Sequence, residues 1–575
     1  MKHSNELQGL RAIAVLLVLG FHAGWIPGGY IGVDVFYVIS GYLITSLIIR
    51  TKDFSFIDFY NRRAKRLLPA AYLVLAVTAI AFWFMAPVIS RAQFGKDLLA
   101  STWYLSNYAY AHWQNDYQNL GAAPSPLIHF WSLAVEEQFY LFWPLAIFLG
   151  RKRLKATVIS ITVLSFAFSL YAVNRAPIFA FYSLPTRAFE LGVGAIVSLY
   201  SFKLKILWPG IAAIFIGALL FDNHTVFPAL PALLPTLGAA AIITSLKPNR
   251  LLGNVISRGI GDWSYSIYLW HWPFLILPTL YLQRSLNNPE KTLALLLCIA
   301  LSAITFKFVE NPIRHKKWSG KRTAMTVLVS GAILSLSSGL LIANSASALD
   351  LKSIRMQPQI YADGCQLDKQ ASKPDPKCIY GEKSAMRSVV LFGDSHAAQW
   401  FPAVEAWAKN RKYKLVVMTK SSCPALALPL KDNGAFKASI CNEFRKNALI
   451  EIAKLNPDLV VIGNFEHYDG VSTRNYLQSE NFKFKYLLIR DTAWPNRDIP
   501  TCLTTKKNCD TVRPVEIPYR SKNIFDPIAL TCTLKNCPAK VDGLVAYRDQ
   551  THITVALAEH LASKLGEKID SLVAR

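Results

Sequence analysis

Acidic residues are scarce in this sequence: 37 Asp and Glu stand against 62 Lys and Arg, a formal net charge of +25 over 575 residues. Such an excess is common in proteins that bind nucleic acid, so the location of the basic residues decides the class. In the first 345 residues they cluster between apolar runs, at 50–66, 151–155, 203–205, 247–258 and 314–322. This placement argues against a nucleic-acid partner and is typical of a membrane protein with a basic cytoplasmic face.

Long apolar runs are missing after Ala343, and cysteine is nearly missing before it. Cys298 is the one cysteine of the first 345 residues. The other eight are Cys365, Cys378, Cys423, Cys441, Cys502, Cys509, Cys532 and Cys537. The C-terminal part therefore has the composition of a soluble domain, and its even cysteine count fits up to four disulfides in an oxidising compartment.

The sequence leaves the connectivity of these cysteines open, with neighbours in sequence as the simplest pairing. A zinc site formed by Cys502, Cys509, Cys532 and Cys537 is the alternative. It lacks CxxC spacing, so we expect no metal.

Eleven segments of the first 345 residues are apolar enough to span a bilayer, which takes roughly 17 to 25 residues per helix. The predicted spans are 8–24, 33–50, 70–88, 129–149, 155–173, 187–202, 206–221, 229–246, 264–283, 292–310 and 324–343. With a cytoplasmic N-terminus, the outer segments carry only Arg91, Lys96, Arg175, Arg284 and Lys291. This positive-inside bias predicts that the C-terminal domain lies outside the membrane.

Ionisable residues are frequent inside the predicted spans. They are Arg11, His22, Asp34, Glu136, Glu137, Arg187, Glu190, His271 and Glu310. Charges at bilayer depth cost several kcal/mol, so each of them needs a partner helix, a snorkelling position or a cavity. Taken as a set, they predict a hydrated path or a reaction chamber within the bundle.

Seven phrases of this region carry a resemblance to a known family. They are LRAIAVLLVLGFHAG, GGYIGVDVFYVISGYLI, FYNRRAKRLLPA, HFWSLAVEEQFYLFWPL, LPTRAFELGVGA, SYSIYLWHWPF and FVENPIR. In this order, across residues 7–314, they resemble the signatures of the membrane acyltransferase-3 family. Members of that family take an acyl group, commonly acetyl from acetyl-CoA, and deliver it to glycans on the far side of the membrane.

The resemblance implies roles for individual residues. The family's first-helix arginine and histidine correspond to Arg11 and His22, its RxxR motif to Arg63 and Arg66, and its acidic fourth-helix motif to Ser132 and Glu136. Guanidinium forks on the cytoplasmic face suit CoA phosphates, although a juxtamembrane basic cluster also serves as an anchor. His22 is expected to act as a base or as an acyl carrier, with a structural histidine as the alternative. Acetyl-CoA is the expected donor, and no tightly bound cofactor is expected.

The C-terminal part alternates short apolar runs with helical stretches, which predicts a parallel sheet with helices on its faces. Ligands of such sheets bind beyond the carboxyl ends of strands. Ser395 in SVVLFGDSHAAQW and Asn464 in DLVVIGN fall at those ends. Asp549 and His552, in the D-x-x-H of YRDQTHIT, follow much later and suit a base that activates Ser395.

These four residues resemble the nucleophile, oxyanion donor and acid–base pair of the SGNH hydrolase superfamily, over roughly residues 385–565. One departure concerns the oxyanion glycine usual after the second strand, because TKSSCPAL offers none. The Ser395 N–H and the Asn464 amide remain as donors. His396 also stands beside the nucleophile, but adjacent residues seldom reach each other's side chains, which favours His552 as the base.

The expected fold is an all-α polytopic membrane bundle of ten helices plus one linking helix, followed by an α/β SGNH-like domain with a parallel sheet. The expected boundaries are 1–315 for the acyltransferase-3 domain, 316–345 for the linking helix, 346–386 for a periplasmic linker and the start of the next domain, and 387–575 for the SGNH-like domain.

The expected function is transfer of an acyl group, acetyl first, from cytoplasmic acyl-CoA to a hydroxyl of a cell-surface or lipid-linked glycan such as O-antigen. The expected location is the bacterial inner membrane, with the C-terminal domain in the periplasm. A membrane-anchored glycan esterase is the alternative from the same residues. A transporter is a third class, but the sequence shows no inverted repeat of the kind transporters use.

Overall fold

The computed structural model describes residues 4–113, 124–200, 202, 204–222, 225–245, 248–250, 252–282, 284–345, 350–425, 430, 432, 437–465, 482–495, 497–505, 508–514 and 522–574. The chain divides into two compact units, Met1–Ala346 and Ser347–Arg575. We call them the N-terminal and the C-terminal unit. Lys203 and Lys247 of the predicted basic segments, and residues 346–349 of the predicted linker, lie outside the described residues.

The N-terminal unit is helical. Its helices are α1 (Asn5–His22), α2 (Gly32–Arg50), α3 (Phe56–Met85), α4 (Arg91–Thr102), α5 (Ser106–His112), α6 (Phe130–Leu149), α7 (Leu154–Val173), α8 (Pro177–Tyr182), α9 (Leu184–Tyr200), α10 (Leu207–Leu220), α11 (Ala229–Thr244), α12 (Val255–Leu282), α13 (Asn288–Thr305), α14 (Asn311–His315) and α15 (Gly320–Ala343). A π-helical turn, Phe306–Glu310, joins α13 to α14.

Each predicted span coincides with one of these helices. By length and apolar composition, five described segments are able to cross a membrane: Gly29–Arg50, Phe56–Met85, Arg151–Val173, Asn288–His315 and Gly320–Ala343. Helices α1 and α12 carry more polar side chains, among them Arg11 and His22 of α1 and His271 of α12. The prediction of a helical region with several apolar helices is confirmed.

Glycines allow α1 to lie close to α12 and to the segment before it. A Cβ on Gly261 of α12 would lie 2.0 Å from the Gln8 carbonyl oxygen, and one on Gly9 would lie 2.1 Å from the carbonyl oxygen of Leu252, which precedes α12. Small residues at a helix interface let the two backbones meet in this way. The side chains further along α1 and α12 are thereby brought within bonding distance.

The C-terminal unit is α/β. Its elements are α16 (Leu351–Ile354), α17 (Gln359–Ala362), β1 (Gln366–Leu367), β2 (Ile379–Gly381), β3 (Ser388–Gly393), α18 (Ser395–Ala398), α19 (Phe401–Arg411), β4 (Lys414–Lys420), α20 (Ala438–Leu455), β5 (Leu459–Gly463), β6 (Tyr486–Ile489), α21 (Ile499–Thr505), β7 (Thr511–Val512), β8 (Ile524–Phe525), α22 (Ile528–Thr531), β9 (Asn536–Cys537), β10 (Lys540–Val541), β11 (Leu544–Val545), α23 (Val555–His560) and α24 (Ala562–Val573).

The main sheet has the order β1-β4-β3-β5-β6-β8, with all of these pairs parallel, and β2 pairs antiparallel with β4. Strands β1 and β2 belong to residues predicted as the linker and the start of the domain. Strand β3 lies between β4 and β5, so the chain leaves it first to one side and later to the other. The carboxyl end of β3 is therefore the point where such sheets form a ligand crevice. The predicted parallel sheet is confirmed.

Both faces of the sheet are covered. Alternate residues of β3, such as Val389 and Leu391, join a core with α19 and α24, while Val390 and Phe392 join a second core with α20. Burial on both faces explains why β3 reads as a continuous apolar run rather than an alternating one.

The eight cysteines of this unit form four disulfides between neighbours in sequence: Cys365–Cys378, Cys423–Cys441, Cys502–Cys509 and Cys532–Cys537. The simplest predicted pairing is therefore the one observed. The zinc alternative is wrong, because all four of its proposed thiolates are consumed in two of these bonds. Within the described residues, no group of His, Cys, Asp and Glu side chains has a metal-binding arrangement.

Candidate active site

The nucleophile motif of the C-terminal unit follows β3 directly. Gly393 has φ +148°, and a Cβ there would lie 1.9 Å from the Gly463 carbonyl oxygen, so only glycine fits. Asp394 caps α18 by accepting the His396 backbone N–H at 2.8 Å, and its other oxygen accepts the Phe465 N–H at 2.9 Å. The carboxylate thus ties the end of β3 to the end of β5. Burial raises the pKa of Asp394, against the charge of His396.

Ser395, His552 and Asp549 form a continuous hydrogen-bonded series. The Ser395 Oγ lies 2.9 Å from His552 Nε2, and His552 Nδ1 lies 2.9 Å from Asp549 Oδ2. Because the carboxylate only accepts, Nδ1 carries the proton of the neutral ring, and Nε2 is left to accept from the serine hydroxyl. This is the arrangement of a serine activated by a general base.

The carboxylate of Asp549 is held ionised. Burial alone would raise its pKa, but hydrogen bonds from His552 and from two backbone N–H groups outweigh burial and keep the pKa well below its usual range. One of these N–H groups belongs to Thr551, at 2.8 Å. The segment is fixed to the nucleophile helix by the Ile553 N–H, which donates to Gln399 Oε1 at 2.9 Å.

One end of the Asn464 side-chain amide is held by the backbone. Its Oδ1 accepts the Ala425 N–H at 2.7 Å, while its Nδ2 is buried and has no hydrogen-bond partner among the described residues. An amide donor left unbonded at this position is ready for a developing negative charge. Ser422, in the loop where the glycine is missing, has φ +58°, a left-handed conformation that glycine adopts more readily.

The second cluster of predicted residues lies in the N-terminal unit. Arg11 of α1, Arg63 and Arg66 of α3, and Ser132 and Glu136 of α6 all line one cavity. Arg11 donates to Gln8 at 3.2 Å. Within the described residues, none of the three guanidinium groups forms a salt bridge with a carboxylate. Three guanidinium groups against one carboxylate, that of Glu136, give this cavity an excess of positive charge, which favours an anionic ligand.

Glu136 is hydrogen-bonded within this cavity, where it accepts from Ser40 Oγ and Tyr140 OH. Ser132 bonds Tyr268 OH at 2.6 Å. Neither Ser40 nor Tyr268 was predicted from the sequence. The available signal was helical spacing, because Tyr268 lies three residues before His271 on one face of α12.

His22 does not line the arginine cavity. It lies 11 residues beyond Arg11 on α1, which corresponds to about 16 Å along a helix axis. Its Nδ1 lies 2.8 Å from His271 Nε2, and its ring centroid lies 4.5 Å from that of Trp272. The structure therefore separates the predicted catalytic residues of this unit into an arginine end and a histidine end.

Three further ionisable residues form a buried salt-bridge cluster. Arg187 lies 3.3 Å from both Asp34 and Glu190, and all three side chains are almost fully buried. Aromatic rings of Tyr37, Trp131, Phe181 and Phe227 surround the guanidinium. This cluster joins α2 to α9, so these three residues are partnered within and between neighbouring helices, one of the three arrangements expected for ionisable residues in the spans.

Comparison with known proteins covers both units. The family model described as an acyltransferase domain matches residues 4–309, more than half of the chain. The model described as an SGNH domain fused to such domains matches residues 364–498. Asp549 and His552 lie beyond that match.

The chain is 35% identical over 359 residues to the peptidoglycan O-acetyltransferase OatA of Listeria monocytogenes, with 54% of this chain and 56% of that protein covered. It is 31% identical over 353 residues to the O-acetyltransferase OatA of Staphylococcus aureus, with 54% and 57% covered. The chain thus spans about half the length of the curated relatives it matches.

Among solved structures, the periplasmic domain of a lipopolysaccharide acetyltransferase from Salmonella ser. Paratyphi A covers 39% of this chain and 98% of its own, at 17% identity and a TM-score of 0.26. That likeness is too weak to bear on function. The family assignment stands on the match to residues 4–309, and the chain belongs to the acyltransferase-3 family, with an SGNH domain following its acyltransferase domain.

Proposed function

We propose that this protein is a membrane O-acetyltransferase that moves an acetyl group from cytoplasmic acetyl-CoA to a hydroxyl of a glycan outside the cytoplasmic membrane. The observation that carries the proposal is the bonded Ser395–His552–Asp549 series in a chain whose other unit is an acyltransferase domain. A membrane-anchored hydrolase needs only the Ser395–His552–Asp549 series. A transporter needs neither that series nor an acyltransferase domain.

The donor is proposed from the guanidinium groups of Arg11, Arg63 and Arg66, which line one cavity and form no salt bridge within the part of the chain that the structure describes. Arginine forks bind phosphates by charge-assisted bonds, and acyl-CoA is a phosphate-rich acyl donor. The separation of about 16 Å along α1 between Arg11 and His22 suits an elongated donor, with its phosphates at the arginine end and its acyl group near the histidine.

The acceptor step uses the C-terminal unit. Ser395 Oγ attacks the acetyl carbonyl, and His552 takes the hydroxyl proton and passes it to the leaving group, which gives an acetyl ester on Ser395. A sugar hydroxyl then attacks this ester. Its oxygen forms the new C–O bond, the bond to Ser395 Oγ breaks, and the sugar's proton reaches Ser395 through His552.

The relatives' names favour peptidoglycan as the acceptor. The sequence-based expectation of a cell-surface or lipid-linked glycan such as O-antigen is the second candidate. The basic inner segments and the disulfides of the C-terminal unit support an inner-membrane protein with that unit in the periplasm.

The test compares a strain lacking the protein with strains that express the wild type, Ser395→Ala or His22→Ala. Mass spectrometry of purified peptidoglycan and of lipopolysaccharide measures O-acetyl groups in each fraction. We expect acetylation to disappear from one glycan in the deletion and in both variants. Normal acetylation in Ser395→Ala would exclude the serine step. A rise of acetylation in the deletion would favour the esterase instead.

A further inference from the structure

His396, the residue after the nucleophile, belongs to a second histidine–aspartate pair. Its Nδ1 lies 2.7 Å from Asp491 Oδ1, and both side chains are buried. Its ring centroid lies 4.6 Å from that of His552. Two histidine–aspartate pairs therefore stand side by side next to Ser395, whereas acyl transfer through Ser395 uses only one.

The second imidazole presents its free nitrogen to the site. Asp491 occupies Nδ1, and within the described part of the chain no group bonds Nε2. The Nε2 atom is not fully buried, so it keeps contact with solvent. A nearly buried ring with one open nitrogen is positioned to bond a polar group of a substrate.

Aromatic rings continue the surface beyond His396. The Phe465 ring centroid lies 4.6 Å from that of His396, and the Trp494 ring centroid lies 5.8 Å from that of Phe465. Trp494 is 38% exposed. The backbone of Phe465 is fixed by Asp394, the residue before the nucleophile. Starting at Ser395, the surface thus passes from imidazole to phenyl to a partly exposed indole.

We propose that His396, Phe465 and Trp494 form the acceptor subsite for a saccharide ring, a role that rests on the proposed function. The apolar C–H face of a sugar ring packs on the aromatic surface, because that contact removes apolar area from water without desolvating the hydroxyls at the ring edge. His396 Nε2 bonds a hydroxyl next to the attacking one, as a donor when the ring is protonated and as an acceptor when it is neutral.

This subsite gives a physical reason for transfer instead of hydrolysis. Water is able to attack the Ser395 ester but gains little binding free energy on an aromatic face, so the subsite orients the sugar and does not orient water. His396 acts here as a positioning residue. The proton of the attacking hydroxyl still goes to His552 and then to Ser395 Oγ.

The experiment compares two readouts for the same full-length variants. Envelope glycan O-acetylation in cells reports transfer to the acceptor, and p-nitrophenyl acetate hydrolysis by the purified protein reports ester chemistry that needs no acceptor. The variants are His396→Phe, which keeps a ring but has no ring nitrogen, and Trp494→Leu. His560→Gln is the matched control, because His560 pairs with Asp542 at 2.9 Å on an exposed surface.

We expect transfer to fall about tenfold or more relative to hydrolysis in both variants, because His396→Phe removes the partner of a substrate hydroxyl and Trp494→Leu removes the aromatic surface under the sugar ring. The control should keep the wild-type ratio. An unchanged ratio in Trp494→Leu, whose exposed side chain is replaceable without core damage, would overturn the subsite. If that ratio is unchanged but Ser395→Ala loses acetylation, only the acceptor subsite is overturned and the proposed function stands. If acetylation survives in Ser395→Ala, both the subsite and the proposed function are overturned.

Discussion

The Nδ1 atom of His22 lies 2.8 Å from the Nε2 atom of His271, and this contact fixes the proton of the first ring. His271 Nδ1 is 2.6 Å from the Tyr268 carbonyl oxygen, which accepts only, so His271 Nε2 carries no proton in the neutral ring. His22 must therefore donate from Nδ1. A proton on Nδ1 places the basic lone pair of the neutral ring on Nε2, which suits either a base or an acyl carrier.

His271→Phe should lower acyl transfer by about 10²-fold or more, the usual contribution of a positioned base. Gln at the same position supplies an amide oxygen near the place of Nε2, so His271→Gln should recover a substantial part of the rate. A purely structural role predicts the opposite order, because Phe fills the ring volume better. Turnover of radiolabelled acetyl-CoA by the purified protein measures both variants.

His315 offers the control for that pair. It is an exposed histidine of the same unit, and its Nδ1 bonds the Asn311 carbonyl oxygen at 2.8 Å. His315→Gln should keep the wild-type rate. Equal losses in the Phe and Gln variants of His271 would contradict the proposed role of the contact with His22.

Arg63→Ala should raise the KM for acetyl-CoA by roughly 10- to 100-fold, since a hydrogen bond to a charged group contributes about 1.5–3 kcal/mol. Arg62→Ala is the matched control, because Arg62 is the preceding residue of α3 and is exposed outside the cavity. If the basic cluster only anchors the helix, the two variants should behave alike. Steady-state kinetics with varied acetyl-CoA separates KM from kcat.

Parts of the C-terminal site were predictable from local patterns. Strand ends locate Ser395 and Asn464, and the D-x-x-H spacing fixes the contact between Asp549 and His552, since both residues lie in one turn. The pairing of His396 with Asp491 was not predictable in this way. It depends on β6 lying two strands away from β3, a sheet order that no local pattern encodes.

In the N-terminal unit, too, some features were predictable from the sequence and others were not. Apolar length predicts its helices, because membrane spans must satisfy their backbone bonds internally. The convergence of Arg11, Arg63 and Arg66 on one cavity came from the family resemblance. Glu136 was expected beside the chemistry, yet its bonds to Ser40 and Tyr140 arise from packing between α2 and α6, which the sequence pattern leaves unspecified.

In His396→Gln, the acidic side of the pH profile for ester hydrolysis should shift. Burial lowers the pKa of His552 against its bond to Asp549, and the positive charges of His396 and Arg548 add to the lowering. Burial also disfavours charge on His396, but the Asp491 carboxylate outweighs it and raises the pKa of His396. The ring of His396, whose charged form Asp491 stabilises, therefore faces the catalytic base.

His552 must be neutral to accept the serine proton, so the rate falls as pH drops through its pKa, which lies below the ordinary histidine value. Removing the charge of His396 raises the pKa of His552, so the acidic side of the pH profile should shift to higher pH. Asp491→Asn should shift it in the same direction, because His396 then loses its support for the charged form. A pH profile of kcat/KM with p-nitrophenyl acetate measures the shift, with His560→Gln as the unshifted control. A shift to lower pH would contradict this coupling.

Gly393→Ala should unfold or inactivate the C-terminal unit. The added Cβ would lie 1.9 Å from the Gly463 carbonyl oxygen and 2.9 Å from Ala397 Cβ, so β5 or α18 has to move. Gly543 is the control for the cost of backbone conformation alone. It has φ +81°, and a Cβ added there would have nothing within 4 Å. Gly543→Ala should cost only about 1–2 kcal/mol, the penalty of a left-handed residue. Thermal unfolding and p-nitrophenyl acetate hydrolysis measure both variants, and equal destabilisation would show that contact with Gly463 does not position the nucleophile.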